Sequence, residues 1–396
     1  MKKFLSILLS VIIFVLVCVP ALAADNTDKT LRFDSNGNFK IMMMNDTQDI
    51  ILKDVASAAL VKKAVAKENP NLIVMTGDQI TDFFPGATHD ALIKCLTGFM
   101  DVIAETGVPF VVTFGNHDHD WEKILSLEEQ MSIYKSYKNC YVVDTGCDLG
   151  TYNIPIMSSD GSKIAFNIYV FDTHNKAPEG LITGYEGIRA NQLQWYKDTS
   201  NSLKAQNSGK SVASLVFQHI PVKEIYQFLD TVPMNGDLSD AIFSLDNKTW
   251  YKLNSHVIDG VIGEVPCSEA LGSNTGEYQA WVEQGDIVGA YFGHDHVNNF
   301  VGVTDDGIKM GYNGGTGFST YGRGGDRSVR IFEINENEPE NYTTREVTFN
   351  QMSGLNINFF ITDLFSPVLV TVIAKFLVNL LPQFARDIIV NIAGRK

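Results

Sequence analysis

Five short apolar runs in this chain end abruptly in carboxylate, amide or imidazole side chains. Residues 39–44 run into Asn45-Asp46 and then Gln48, and residues 71–76 into Gly77-Asp78. Residues 109–114 stop at Gly115-Asn116-His117-Asp118, residues 214–217 at Gln218-His219, and residues 287–292 at Gly293-His294-Asp295-His296. Helical spacing over 54–67 and again over 90–105 separates the first three runs. This strand–helix–strand rhythm reads as parallel βαβ units, which makes the chain an α/β protein. Ligands of such sheets bind beyond the carboxyl ends of the strands, so five breaks of this kind would converge on one pocket. A lone Gly-Asp at a strand end is usually a turn, and a lone His is usually structural. The ordered set is what argues for a site.

The rest of the chain is organised around that frame. Residues 151–157 and 164–172 read as paired strands about Ser159-Asp160-Gly161, residues 191–203 as a helix, and residues 308–312 and 329–334 as strands. Residues 222–285 are rich in turns and read as an insertion near the site. From Phe359 to Ile392 the chain is almost continuously apolar, with Asp363, Lys375, Arg386 and Asp387 its only charges. Residues 364–381 approach membrane-spanning length, but Pro367, Lys375 and Asn379 interrupt them and Pro382 closes them. The expected reading of residues 356–396 is an amphipathic helix lying on a membrane surface or a partner; a true span and a packed core helix are the alternatives.

The opening residues, MKKFLSILLSVIIFVLVCVPALA, combine two lysines, a long apolar stretch and an Ala21-Leu22-Ala23 cleavage site. Residues 1–23 are expected to be a secretory signal, with an uncleaved membrane anchor as the alternative. The protein is then secreted or extracytoplasmic. Losing Lys2 and Lys3 would take the formal charge from −15 to −17. So acidic a surface repels phosphate backbones, and nucleic-acid binding is not expected. Cys95, Cys140, Cys147 and Cys267 show no C-x-x-C spacing, which disfavours a cysteine zinc site. Cys140 and Cys147 could bridge after export or remain free thiols.

The donor mixture points to chemistry. Carboxylates and imidazoles together suit Mn, Fe, Zn and similar divalent ions, whereas an all-oxygen cage suits Ca or Mg. Asp78 sits centrally enough to bridge two metals, and the alternation of His294 and His296 lets both rings face one side of an extended segment. Two metals about 3.5–4 Å apart clamp a phosphoryl group and acidify a water for in-line attack. Asn116 would give a neutral oxygen to a metal. His117 would stand just outside, protonating the leaving oxygen or stabilising the phosphoryl oxygens, with Asp118 orienting its ring.

The order Asp46-Thr47-Gln48, Gly77-Asp78-Gln79, Gly115-Asn116-His117-Asp118, His219-Ile220-Pro221 and Gly293-His294-Asp295-His296 resembles the calcineurin-like metallophosphoesterases over about residues 38–335. With Tyr321-Gly322-Arg323-Gly324, it is similar to the branch related to purple acid phosphatase 29. The resemblance implies a four-layer αββα sandwich of two mixed β-sheets flanked by helices, spanning residues 24–355. It implies one metal held by Asp46, Gln48, Asp78 and His296, and a second held by Asp78, Asn116, His219 and His294. His117 matches the acid or transition-state stabiliser, and Asp118 its partner. Two departures stand out. The family's first motif is usually D-x-H, and Gln48 replaces the imidazole, so the first metal is expected to be labile, or to be Mn or Mg. The purple enzymes' metal-binding tyrosine is replaced by Thr81, so a colourless protein is expected.

Arg323 lies in a glycine-rich loop over 314–325 and is expected near the substrate phosphate with Asn116 and His117; a surface loop is the alternative. His174 imitates the ligand pattern, but the implied set is complete without it. The functional expectation is a secreted phosphoesterase that uses two divalent ions (Mn, Fe, Zn or Mg) and a hydroxide at a dinuclear site to cleave a small phosphomonoester or phosphodiester. The alternative is a catalytically weak metal- or phosphate-binding protein whose first metal position is degraded at Gln48.

Overall fold

Side chains of an extended strand alternate between faces, and in residues 38–44 both faces are buried. Phe39, Ile41 and Met43 pack into one apolar core, Met42 and Met44 into another. A strand of that kind belongs inside a sheet covered on both sides. The computed structural model, which describes residues 29–50, 54–175, 184–267 and 275–393, shows that arrangement. The first half contains β1 (Leu31–Arg32), β2 (Asn38–Met44), α1 (Val55–Glu68), β3 (Leu72–Thr76), α2 (His89–Glu105), β4 (Phe110–Thr113), α3 (Asn116–Asp120), α4 (Leu127–Ser136), β5 (Tyr152–Met157), β6 (Ile164–Phe171) and α5 (Ala190–Gln206). Then come β7 (Ser214–Gln218), β8 (Leu229–Val232), β9 (Ile242–Phe243), β10 (Trp250–Leu253), β11 (Val257–Val261), α6 (Glu277–Gln284), β12 (Ile287–Phe292), β13 (Asn299–Val303), β14 (Lys309–Tyr312), β15 (Ser328–Asn335) and β16 (Thr343–Thr348). The chain closes with α7 (Phe349–Ser353), α8 (Pro367–Asn379) and α9 (Gln383–Ala393).

One sheet has five strands in the order β16-β15-β2-β3-β4, and the other has eight in the order β1-β5-β6-β7-β12-β14-β13-β11. Both are mixed: β2, β3 and β4 run parallel with β15 antiparallel, and β6, β7, β12 and β14 run parallel between antiparallel neighbours. Ile41, Val74 and Val111 of the first sheet share a core with Ile168, Leu215, Phe217 and Tyr291 of the second. The outer face of the first sheet is covered by α1 and α2 through Val61, Leu92 and Phe99. The outer face of the second is covered by α5 and α6 through Tyr196 and Trp281. The layers are therefore α, β, β, α, as expected. Strands β2, β3 and β4 and strands β7 and β12 deliver their next residues to one rim of the sandwich.

Residues 222–285 are more regular than their turn content suggests. They build a separate sheet in the order β8-β10-β9, then add β11 to the edge of the large sheet and supply α6. Short strands of mixed exposure carry little period-2 signal, which is why they read as irregular. The apolar tail is broken, with α8 and α9 bent by 109° at a break before Gln383. Pro382 lacks the N–H a continuing helix needs. Among the described residues no single helix is long and apolar enough to cross a membrane. Cys95, Cys140, Cys147 and Cys267 are free thiols. The signal reading of residues 1–23 lies outside the described residues.

Candidate metal centre

The site begins with backbone that ordinary residues avoid. Asp46, Gln48, Asp78 and His294 all have positive φ, at 50°, 39°, 54° and 70°. Each such residue costs on the order of 1–3 kcal/mol and persists only where its surroundings impose it. Here the turns after β2 and β3 tie together: Asp46 N–H donates to Gly77 O at 3.1 Å and Gln48 N–H to Asp78 O at 3.0 Å. Glycine is required beside them. A Cβ on Gly77, whose φ is 93°, would lie 2.5 Å from Gly115 N, and one on Gly115 would collide with the Asp78 carboxylate.

The side chains meet in two overlapping groups. His219 Nε2 lies 3.2 Å from Asp78 Oδ2, 3.2 Å from Asn116 Oδ1 and 3.3 Å from His294 Nδ1. His294 Nδ1 in turn lies 2.8 Å from Asn116 Oδ1. In the second group, His296 Nε2 is 3.2 Å from Asp46 Oδ1 and 3.4 Å from Gln48 Nε2. Gln48 Nε2 also reaches Asp78 Oδ2 at 3.2 Å, so that oxygen faces both groups. The structure thus brings Asp46, Gln48, Asp78, Asn116, His219, His294 and His296 to one place.

Tautomers decide what this arrangement can hold. His219 Nδ1 faces Thr76 O at 2.9 Å and His296 Nδ1 faces Tyr321 O at 3.0 Å. A carbonyl only accepts, so each ring keeps a proton on Nδ1 and, when neutral, aims the lone pair of Nε2 into the cluster. There the lone pair of His219 faces the Asp78 carboxylate and the Asn116 amide oxygen, and that of His296 faces Asp46 Oδ1, all of them also acceptors, with the Gln48 amide nitrogen beside His296. The buried Asp46 Oδ1 accepts no well-directed hydrogen bond. Facing acceptors of this kind repel unless a proton or a cation lies among them. Oxygen and imidazole donors in this ratio fit divalent Mn, Fe or Zn.

Without cations, protons fill the role. Burial opposes charge on His219, yet Asp78, and Asp46 behind it, bring the imidazole up to about 10. His296 is likewise raised, by Asp46 against its burial. Burial and the charge of His219 push His294 down to about 3, leaving it a neutral lone-pair donor.

His117 stands at the edge, with Nε2 3.8 Å from Asp78 Oδ2. Its orienting partner differs from the expected one. His117 Nδ1 pairs with Asp120 Oδ2 at 2.9 Å, one turn on along α3. Asp118 points inward, and its carboxylate accepts backbone N–H groups from Gly115, Asp78, Gln79 and Ile80 at 2.8–3.3 Å. It fixes the loops that carry Asp78 and Asn116, and leaves the ring of His117 to Asp120. The physical reason is the helix that starts at Asn116: it turns residue 118 toward the loops and residue 120 to the side of 117.

Arg323 also departs from expectation. Its Nη1 lies 2.6 Å from Glu346 Oε1, and it does not line the cavity over the cluster. A half-buried carboxylate holds it away from any phosphate. The residue that organises the glycine-rich loop is Arg327, fully buried, which donates to Gly317 O, Gly324 O and Thr320 O and pairs with Asp363 of the tail. His174 belongs to a separate network: Asp172 accepts from His119 Nε2 at 3.0 Å and from His174 N–H at 2.9 Å, and His174 Nε2 faces Gln192 Oε1 at 3.0 Å.

Several neighbours escaped the sequence. The ring of Tyr321 stacks on His296 with centroids 4.3 Å apart, and its hydroxyl donates to Glu264. Tyr185 meets His294 edge-on at 4.6 Å. Asp120 was findable, since it sits three residues from His117 on a helix. Glu264 carried no signal. Above the cluster opens a cavity of about 780 Å³, lined in part by Gln48, Asp78, His117, His294 and His296.

Comparison with known proteins gives the same assignment. The calcineurin-like phosphoesterase model matches residues 39–298. The chain is 27% identical over 357 residues to the Arabidopsis thaliana protein named probable inactive purple acid phosphatase 29, covering 81% of this chain and 83% of that one. It is 29% identical over 351 residues to probable inactive purple acid phosphatase 14 of the same plant, covering 78% and 79%. To the Saccharomyces cerevisiae phosphatase DCR2 it is 25% identical over 355 residues, covering 82% of this chain and 56% of that one. The family match spans β2 to the residues after β12, the stretch that supplies every member of the cluster, and this chain belongs to the calcineurin-like phosphoesterase family.

Proposed function

We propose that this chain is an exported phosphoesterase that hydrolyses a phosphomonoester or phosphodiester at a site for two divalent cations. The observation that carries the proposal is Asp78, whose Oδ2 is within 3.2 Å of both His219 Nε2 and Gln48 Nε2 and so belongs to both donor groups. Cations bound there would supply Lewis-acid polarisation of the phosphoryl group and activation of a water. The chain's own residues do the rest. Asn116 and His117 orient the phosphoryl oxygens. His117 holds the proton that the leaving oxygen takes. Burial opposes that charge, but Asp78 and the hydrogen bond to Asp120 carry the imidazole up to about 9. Cations beside Asp78 would weaken its pull and leave Asp120 to keep the ring protonated. Export rests on the reading of residues 1–23.

A second reading is favoured by one feature. Gln48 offers an amide where an imidazole is usual, and three Arabidopsis relatives carry "probable inactive" in their names. A metal or phosphate binder would keep the cluster without turnover. His117 held by Asp120 counts against it, because a binder has no use for a poised acid. The test is hydrolysis of p-nitrophenyl phosphate and bis(p-nitrophenyl) phosphate by chelated protein reloaded with Mn, Zn, Fe or Mg. Turnover with at least one metal supports the enzyme. No turnover with any, alongside tight metal binding, supports the binder.

A further inference from the structure

The cavity over the cluster is lined by two unlike kinds of residue. Besides the cluster's side chains, Ile50, Phe83, Pro85 and Phe365 line it. Phe83 is 75% exposed and Phe365 82%, large apolar surfaces left in water at the mouth of a polar site. Among the described residues lining the cavity there is no lysine or arginine. A leaving group with further phosphates or carboxylates would find no basic side chain there beyond His117 of the site itself, whereas an aliphatic one would cover the exposed rings.

Phe365 also begins a second feature. In α8 the residues Val368, Leu369, Val372, Ile373, Phe376 and Leu377, with Leu380 just past its end, are exposed, at i, i+3, i+4 spacing. The opposite face is docked: Thr371 Oγ1 accepts from Phe243 N–H at 3.0 Å, Lys375 Nζ donates to Ser239 O at 2.7 Å, and Val378 is buried beside Trp250. This is an amphipathic helix turned inside out, with its apolar stripe outward. In α9 Phe384, Ile388 and Ile392 repeat the pattern. A contiguous apolar surface of this kind marks a contact.

The two features share Phe365, so whatever covers the stripe stands at the mouth of the cavity. A second protein seated there would cap the mouth. A bilayer would cover the stripe and present a substrate at the same point. The net charge of −15 opposes attraction to anionic lipid, so binding would rest on apolar insertion. We propose that the substrate is a phosphorylated lipid, taken from a membrane on which α8 and α9 lie, its aliphatic part received by Ile50, Phe83 and Phe365. This rests on the phosphoesterase reading above.

The experiment uses the full chain reloaded with the best metal and substrates that differ only in their apolar part. The monoester pair is dioleoyl phosphatidic acid in phosphatidylcholine vesicles against glycerol 3-phosphate, and the diester pair is phosphatidylglycerol in the same vesicles against glycerophosphoglycerol. The expected result is a kcat/KM at least about tenfold higher for the acylated member of one pair. The double variant Val372→Glu with Phe376→Glu, on the exposed stripe, is expected to lower cosedimentation with phosphatidylcholine vesicles by about tenfold. Its p-nitrophenyl ester hydrolysis should be unchanged. Equal turnover within both pairs, or vesicle binding indifferent to the double variant, overturns the proposal while p-nitrophenyl ester hydrolysis keeps the phosphoesterase reading. If no ester of any kind is cleaved with any metal, the phosphoesterase reading fails, and the substrate class with it.

Discussion

Nε2 of His219 and Nδ1 of His294 face each other across 3.3 Å, with Asn116 Oδ1 within 3.2 Å of both. His219 has already spent its other nitrogen on Thr76 O. Two ring nitrogens and an amide oxygen pointing at one spot cannot satisfy one another with a single proton. The arrangement is explained by an electrophile lying among them.

Loading that electrophile must therefore release protons. His219 is raised to about 10, so it is charged at pH 7 in the cation-free chain, and Asp46 raises His296 in the same direction against its burial. Divalent ions displace those protons, and affinity climbs as pH rises toward the raised values. Calorimetric titration of Mn²⁺ at pH 7, in buffers of different ionisation enthalpy, should read a release of about one proton or more per chain. A buffer-independent heat would count against this picture.

Asp120→Asn removes the carboxylate that holds the imidazolium of His117 at 2.9 Å. That partner raises the pKa of His117, so its loss lowers it, and activity that needs protonated His117 should fail at lower pH. The expected shift of the alkaline limb of kcat is about one unit toward acid, with the acid limb unmoved. Asp118→Asn should not reproduce the shift, because Asp118 faces backbone N–H groups instead. If the two variants moved the limb equally, the assignment of Asp120 would be wrong.

Asp118→Ala strips acceptors from Gly115, Asp78, Gln79 and Ile80 at a fully buried point. Urea unfolding of the metal-free chain should show a loss of about 3 kcal/mol or more. A loss below about 1 kcal/mol would mean that those N–H groups find other partners.

Much of this frame was legible in the sequence because buried strands announce themselves. The run 39–44 and the run 71–76 are apolar on both faces, and glycine or polar residues end them sharply, so β2 and β3 came out within a residue. The convergent set of carboxylate, amide and imidazole side chains was legible for the same reason, each member sitting one to four residues past such a strand. Less legible were contacts set by direction. Asp118 and Asp120 look alike in the sequence, and only the path of α3 decides which one meets His117. Arg323 and Arg327 flank the same glycines, and Glu346 and Asp363, more than twenty residues away, decide their roles. Short strands β8 to β10 escaped because partial exposure dilutes their alternation.

Gln48→His restores an imidazole where the amide now touches Asp78 and His296. Imidazole is the stronger donor to Zn or Fe, and the first cation should bind about tenfold to a hundredfold more tightly. Competition against a fluorescent chelator measures it. Unchanged affinity would show that residue 48 does not bind the cation.

In the function proposed above, one cluster holds two cations through a shared Asp78. Its most direct test is metal content per chain by elemental analysis, after reconstitution and removal of free ions, for the native chain and for Asp78→Ala and His294→Ala. The expected content is two equivalents in the native chain, about one in His294→Ala, and fewer than one in Asp78→Ala. A native chain holding none, or the same content in all three proteins, would contradict it.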